Sequence, residues 1–194
     1  MAENKTTKFG VSGINHLALV CKDMKVTVDF YENVLGFPLI KTLDLPYGSG
    51  QHFFFDIGGG DSLAFFWFPE APDSAPGITH PAHDFGKGPI TTAHATMNHV
   101  AFNIDADRIE ECHKMLVEAG VDVSPVINHD HSETQASLEL TESTFVRSIY
   151  FPDPDGIMLE FAGWTRAMTP EDVAHEPATD ADKQRYLEMA PGRS

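Results

Sequence analysis

His16 and His99 occur in one local pattern: Ile14-Asn15-His16-Leu17-Ala18-Leu19 is matched, 83 residues later (99 − 16), by Met97-Asn98-His99-Val100-Ala101-Phe102. An imidazole repeated in the same context points to a nitrogen donor with a fixed place in a duplicated unit. Glu160 offers a carboxylate late in the second copy. Strand side chains alternate between faces, so His16 and Ala18 oppose Leu17 and Leu19, while His99 and Ala101 oppose Val100 and Phe102. By the same rule Met158, Glu160 and Ala162 oppose Ile157, Leu159 and Phe161. With the more apolar face under the helices, both imidazoles and the carboxylate emerge on the other side. Two nitrogens and one oxygen leave half of an octahedral shell open, which suits ferrous iron in oxygen chemistry with substrate bound directly to the metal.

The elements that would position these groups also repeat. Each copy of the strand is followed by a helical pattern that opens at a capping Asp (Asp23, Asp105) and closes at a Gly (Gly36, Gly120). Val28, Tyr31 and Leu35 fall on one face of the first helix, and Ile109, Cys112, Leu116 and Ala119 on one face of the second. Hairpins follow, turning at Gly58-Gly59-Gly60 and at Asp153-Pro154-Asp155-Gly156. Each half therefore reads strand, helix, then three strands. The expected fold is α+β, with two tandem βαβββ modules forming a curved mixed sheet around a metal-binding cavity.

Aligning the two turns pairs Phe65 with Glu160 and Phe55 with Tyr150, at an offset of 95 (160 − 65). The growth of the offset from 83 places an insertion in the second half. On this register Phe65 stands where symmetry would place a fourth ligand. Phenylalanine cannot coordinate, so Phe65 and Trp67 are expected as an aromatic, substrate-facing wall. The modules span about residues 11–70 and 95–165, after an N-terminal tail of residues 1–10. The Pro-, Gly- and His-rich linker, about 71–94, is long enough to serve as a lid or pocket wall. A C-terminal tail covers 166–194, with short helices expected at Thr169-Pro170-Glu171 and near 180–189.

Composition narrows the ligand. A formal net charge of −16 and a pI near 4.8 oppose nucleic-acid backbones and anionic membrane surfaces, leaving a small molecule as the expected partner. Cys21 and Cys112 are the only cysteines and lie outside any paired motif, so neither a disulfide framework nor a thiolate zinc site is expected, and a reducing cytoplasm fits. The polar start, residues 1–8, lacks the apolar stretch of a secretory signal, and the longest apolar run, 63–68, is too short to span a bilayer. His129-Asp130-His131 reads as a solvated turn or a pocket rim. Arg147 falls on the face opposite Tyr150 and is expected in a surface or interface salt bridge.

From about residue 11 to 165 the chain resembles the glyoxalase, bleomycin-resistance and extradiol-dioxygenase superfamily of vicinal oxygen chelate proteins. The most specific stretch is Ile149-Tyr150-Phe151-Pro152-Asp153-Pro154-Asp155-Gly156-Ile157-Met158-Leu159-Glu160, which is similar to the later part of the extradiol signature. The resemblance implies that His16, His99 and Glu160 are the metal ligands and that Tyr150 helps to position a substrate hydroxyl. It also implies an acid/base histidine upstream of His99, for which His80, His83 and His94 are candidates and His83 is favoured by its distance along the chain. The activity so implied is Fe(II)-dependent extradiol cleavage of a catechol-like aromatic by O2. The alternatives are a glyoxalase- or epimerase-type isomerase using Mn, Ni or Zn, and a metal-free small-molecule binding protein. A homodimer is the expected assembly, and the sequence leaves open whether the modules pair within one chain or across two.

Overall fold

A computed structural model of the chain describes residues 13–73, 94 and 96–189. The first module runs β1 (His16–Val20), a helix, β2 (Leu39–Asp44), β3 (Gln51–Gly58) and β4 (Asp61–Trp67). Its helix, α1, begins as an α-helix over Met24–Val28 and continues with π-type turns over Asp29–Val34. The Asp23 carboxylate caps it by accepting from the Lys25 and Val26 N–H groups, and Gly36 just beyond its end adopts φ +74°, where a Cβ would be strained. The second module repeats the plan with β5 (Val100–Asn103), α2 (Ile109–Glu118), β6 (Ile127–His129), β7 (Val146–Pro152) and β8 (Met158–Trp164). Asp105 caps the 3-10 turn that leads into α2.

Each module forms a four-stranded mixed sheet, ordered β1-β4-β3-β2 in the first and β5-β8-β7-β6 in the second. The strands carrying the histidine motif, β1 and β5, are sheet edges, and each pairs in parallel with the last strand of its own module. The insertion lies between β6 and β7, residues 130–145, where the first module has only a short connection between β2 and β3. The tail holds a 3-10 turn at Pro170–Asp172, another at Asp180–Asp182, and the helix α3 (Lys183–Met189), as the sequence predicts. Among the described residues no helix is long and apolar enough to cross a membrane.

Alternation places the aliphatic and aromatic side chains of both sheets in one shared core. Tyr31, Phe55, Leu63, Phe65, Phe102, Ile109, Ile149, Phe151 and Leu159 are buried in a single cluster that draws on both modules. The Phe37 and Phe102 rings meet across the modules at 5.1 Å. At ~1.5–3 kcal/mol for each fully buried large apolar side chain, this core supplies most of what holds the modules together. At the edge of the first sheet the other face looks outward, where His16, Ala18 and Val20 of β1 are exposed; on the second sheet that face buries Ile127, Ser148, Tyr150, Met158 and Glu160.

The structure corrects the expected equivalence of the two hairpins. In the first module Ala18 pairs with Ala64 and Phe54 with Ala64; in the second, Ala101 pairs with Glu160 and Tyr150 with Glu160. The equivalent of Glu160 is thus Ala64, at an offset of 96 (160 − 64), and Tyr150 matches Phe54. A β-bulge between Asp56 and Gly58, with unequal turns, absorbs the extra residue. One residue of slip exchanges the faces of a strand. Phe65 is consequently fully buried in the shared core, 4.8 Å from the Tyr31 ring, and does not line the outer face. Trp67 follows the same alternation: it packs against the core and its indole N–H donates to the Lys22 carbonyl at 3.1 Å. The aromatic residues on the outer face are Phe54 and Phe66.

Candidate metal centre

The outer face of the second sheet brings two of the expected ligands together. His99 immediately precedes β5, two residues before Ala101, whose register partner is Glu160. Its Nε2 stands 2.9 Å from Glu160 Oε2. The other ring nitrogen, Nδ1, is 2.7 Å from Asn98 Oδ1, an acceptor, so Asn98 fixes a proton on Nδ1 and leaves Nε2 to face the carboxylate. The first module repeats this arrangement, with His16 Nδ1 at 2.8 Å from Asn15 Oδ1. The asparagine of the duplicated motif therefore has a physical role: it sets the tautomer and orientation of the imidazole that follows.

Glu160 is buried, with its side chain 7% exposed. Burial alone would push its carboxyl up. Contacts from His99, Ser148 and Tyr150 outweigh that and hold it below the ordinary glutamate range, so the group stays ionised. Ser148 contributes from a hydroxyl that is itself buried without a hydrogen bond of conventional geometry. Tyr150, opposite Glu160 in the ladder, is pushed well above the ordinary phenol range, first by burial and then by the neighbouring carboxylate charge and the hydrogen bond to it. His129 Nε2 lies 3.1 Å from the Tyr150 hydroxyl.

His16 does not join this group within the chain. It stands on the outer face of the first sheet, 5.7 Å from the Phe54 ring. Beside it, His52 stacks on Phe66 at 3.6 Å, and its Nε2 is buried without a partner. Among the described residues no three His, Cys, Asp or Glu side chains gather closely enough to hold a metal ion. Within one chain, then, His99 and Glu160 meet, while His16 faces outward on the other sheet. His83, the favoured acid/base candidate, lies outside the described residues.

Two groups escaped the sequence reading. His129 is a site neighbour rather than a solvated turn, and its signal was strand parity: it pairs with Val146 and so shares a face with Ser148 and Tyr150. His52 pairs with Phe66 and Leu43 and so shares the face of His16, a parity hidden while the hairpins were aligned one residue out. Arg147 lies on the opposite face, as expected, but its salt bridge is made by a buried guanidinium rather than at the surface. It donates to Asn128 Oδ1 and the Ala106 carbonyl and forms an ion pair with Glu110 in the first turn of α2.

The profile of the Glyoxalase/Bleomycin resistance protein/Dioxygenase superfamily matches residues 13–161. The chain is similar to metallothiol transferase FosB of Shouchella clausii, at 28% identity over 89% of this chain and 92% of the relative. It is similar to Glyoxylase I 4 of Arabidopsis thaliana, at 24% identity over 82% of this chain and 75% of the relative. The fold superposes on the crystal structure of a glyoxalase family protein from Enterococcus faecalis with a TM-score of 0.54, at 23% identity over 77% of this chain and 96% of that one.

Proposed function

We infer the function from one premise: the chain belongs to the Glyoxalase/Bleomycin resistance protein/Dioxygenase superfamily. On that premise it is a metal-dependent enzyme acting on a small substrate that chelates through neighbouring oxygens, with His16, His99 and Glu160 as ligands. The observation that carries this reading is the 2.9 Å approach of His99 Nε2 to an ionised, buried Glu160 carboxylate. The donor set fits a divalent cation: one nitrogen whose companion is tied to Asn98, and one carboxylate oxygen.

The third ligand, in this reading, comes from a second copy of the chain. β1 and β5 are both sheet edges, and the outer face of β1 exposes Val20 at 50% beside His16, with Ile14 just ahead of the strand at 62%. Apolar surface and open strand edges at the two histidine motifs support a dimer in which the first module of one subunit covers the second module of the other. Each cavity would then combine His16, His52, Phe54 and Phe66 of one subunit with His99, Glu160, Tyr150 and His129 of the other.

A divalent metal bound there would act as a Lewis acid on the substrate oxygens. The protein's own groups have separate tasks. Tyr150 holds a substrate oxygen by hydrogen bonding, Glu160 keeps a negative charge in place, and Phe54 and Phe66 shut out water. The names of the relatives, a metallothiol transferase and a glyoxylase, support metal-dependent group transfer over oxygen chemistry; Mn, Ni or Zn would serve such a reaction. The second reading, Fe(II)-dependent ring cleavage of a catechol-like substrate, is favoured by the ten-residue spacing from Tyr150 to Glu160 across the Asp-Pro turn.

The test begins with the metal content of the purified protein. Mn(II)- and anaerobically Fe(II)-loaded samples are then assayed with catechols in an oxygen electrode, and with α-oxoaldehydes plus a thiol by NMR. Turnover without oxygen uptake supports the first reading, and uptake with a catechol supports the second. Failure of any divalent metal to bind would overturn both.

A further inference from the structure

One polar side chain from each of four neighbouring chain segments stands in line across the outer face of the second sheet: His99 ahead of β5, Glu160 on β8, Tyr150 on β7 and His129 on β6. His99 meets Glu160 at 2.9 Å, Tyr150 stands directly opposite Glu160 in the ladder, and His129 Nε2 meets the Tyr150 hydroxyl at 3.1 Å. The direction of the bonds follows from chemistry. With the single phenol proton turned toward Glu160, its register partner and an acceptor, the His129 contact is an imidazole N–H donating to the phenol oxygen.

We propose that His129 is a positioning residue: by donating from Nε2 to the Tyr150 oxygen it holds that phenol as a hydrogen-bond donor aimed along the row toward the metal centre, ready to be given to a substrate oxygen. This rests on the metal-centred reading above. The backbone supports it. Phe145 N–H donates to the His129 carbonyl at 2.9 Å and His129 pairs with Val146, so the main chain that carries the imidazole is tied to the start of β7, the strand that carries Tyr150. Tyr150 is anchored too, its N–H donating to Ser124 Oγ at 2.9 Å. Without His129 the phenol oxygen would lose an N–H donor that holds its proton toward the centre.

The test uses the Mn(II)-loaded full chain and 4-nitrocatechol, a vicinal-oxygen chelator whose visible absorbance reports binding. His129→Phe is expected to weaken 4-nitrocatechol about tenfold, as Tyr150→Phe should, with the double variant no weaker than Tyr150→Phe alone. His129→Gln, which keeps an N–H donor, should recover most of the loss, and Mn(II) affinity should stay at the wild-type level throughout. Binding unchanged in His129→Phe, losses that multiply in the double variant, or a His129→Phe defect that appears in Mn(II) affinity and is not rescued by Gln would each overturn the proposal. If the wild type binds no Mn(II), the metal-centred reading falls, and 13Cζ-tyrosine NMR still decides the geometry. The Tyr150 resonance, identified by its loss in Tyr150→Phe, must move in His129→Phe and return toward its wild-type position in His129→Gln; a resonance that stays put removes the contact.

Discussion

Tyr31 in the first module donates its hydroxyl to the Asp153 carboxylate of the second, 3.1 Å away, and both groups are buried. Asp153 Oδ1 also accepts from the Asp155 and Ile157 N–H groups, while Asp155 Oδ2 accepts from the Lys22 N–H of the first module at 2.9 Å. The Asp-Pro-Asp-Gly turn between β7 and β8 is therefore a clasp between modules as well as a hairpin turn. It fixes the start of β8, the strand that carries Glu160.

This clasp makes stability depend on pH. Burial pushes the Asp153 carboxyl from 3.8 up to about 6, against the opposing pull of its hydrogen-bond donors. Below about pH 4 the group is neutral in folded and unfolded chains alike, and its contribution is fully present. As pH rises through 6 the folded chain must ionise a buried acid that the unfolded chain ionised earlier, and that contribution is lost. Asp153→Asn keeps the Oδ1 acceptor and removes the ionisation. Urea denaturation between pH 4 and 7.5 should show a flatter stability profile for the variant, with a gain over wild type of up to roughly 3 kcal/mol at the upper end. Parallel profiles for the two proteins would contradict this.

Phe54 and Phe65 should separate cleanly. Phe65 is fully buried, so Phe65→Ala is expected to cost about 3–5 kcal/mol in urea denaturation. Phe54 is half-buried on the face beside His16, and Phe54→Ala should cost less than about 1.5 kcal/mol while weakening 4-nitrocatechol binding to the Mn(II) protein. A larger stability loss at Phe54 than at Phe65 would restore the register expected from the turns.

How much of this was legible in the sequence depended on what set each feature. The duplicated motif around His16 and His99, the Asp caps and the closing glycines are local, and the structure follows them. Strand alternation correctly placed Glu160, Tyr150 and Arg147 on their faces. The alignment of the hairpins failed because a bulge at Asp56–Gly58 leaves no compositional mark, and one residue of error moved Phe65 and Trp67 to the wrong face. His129 was hidden by its neighbours Asp130 and His131, which read as loop. Whether His16 meets His99 and Glu160 depends on how subunits associate, which a strand pattern does not encode.

Arg147 should matter for stability rather than binding. Its guanidinium is buried, and it donates to Asn128 Oδ1 and the Ala106 carbonyl besides pairing with Glu110. Arg147→Met leaves the two neutral acceptors without their donor and is expected to cost about 2–4 kcal/mol. Glu110→Ala removes a partner that is 62% exposed, where screening is strong, and should cost no more than about 1 kcal/mol. The midpoints of urea denaturation measure both, and equal losses would assign the energy to the ion pair instead.

The origin of the third ligand can be decided by complementation. On the proposed reading, His16→Ala and Glu160→Gln should each lower Mn(II) affinity more than about 100-fold, because each would remove a ligand from every site of the proposed dimer. When the two variants are unfolded together and refolded as a mixture, half the dimers pair unlike subunits. In an exchanged dimer one site of such a pair carries both defects and the other carries neither, so about a quarter of the wild-type Mn(II) capacity should return with wild-type affinity. If the ligands of each site came from one chain, every site in the mixture would keep one defect, and no capacity would return. Equilibrium dialysis of the refolded mixture against Mn(II) distinguishes the two arrangements, and the same sample run beside each variant alone excludes recovery by refolding itself.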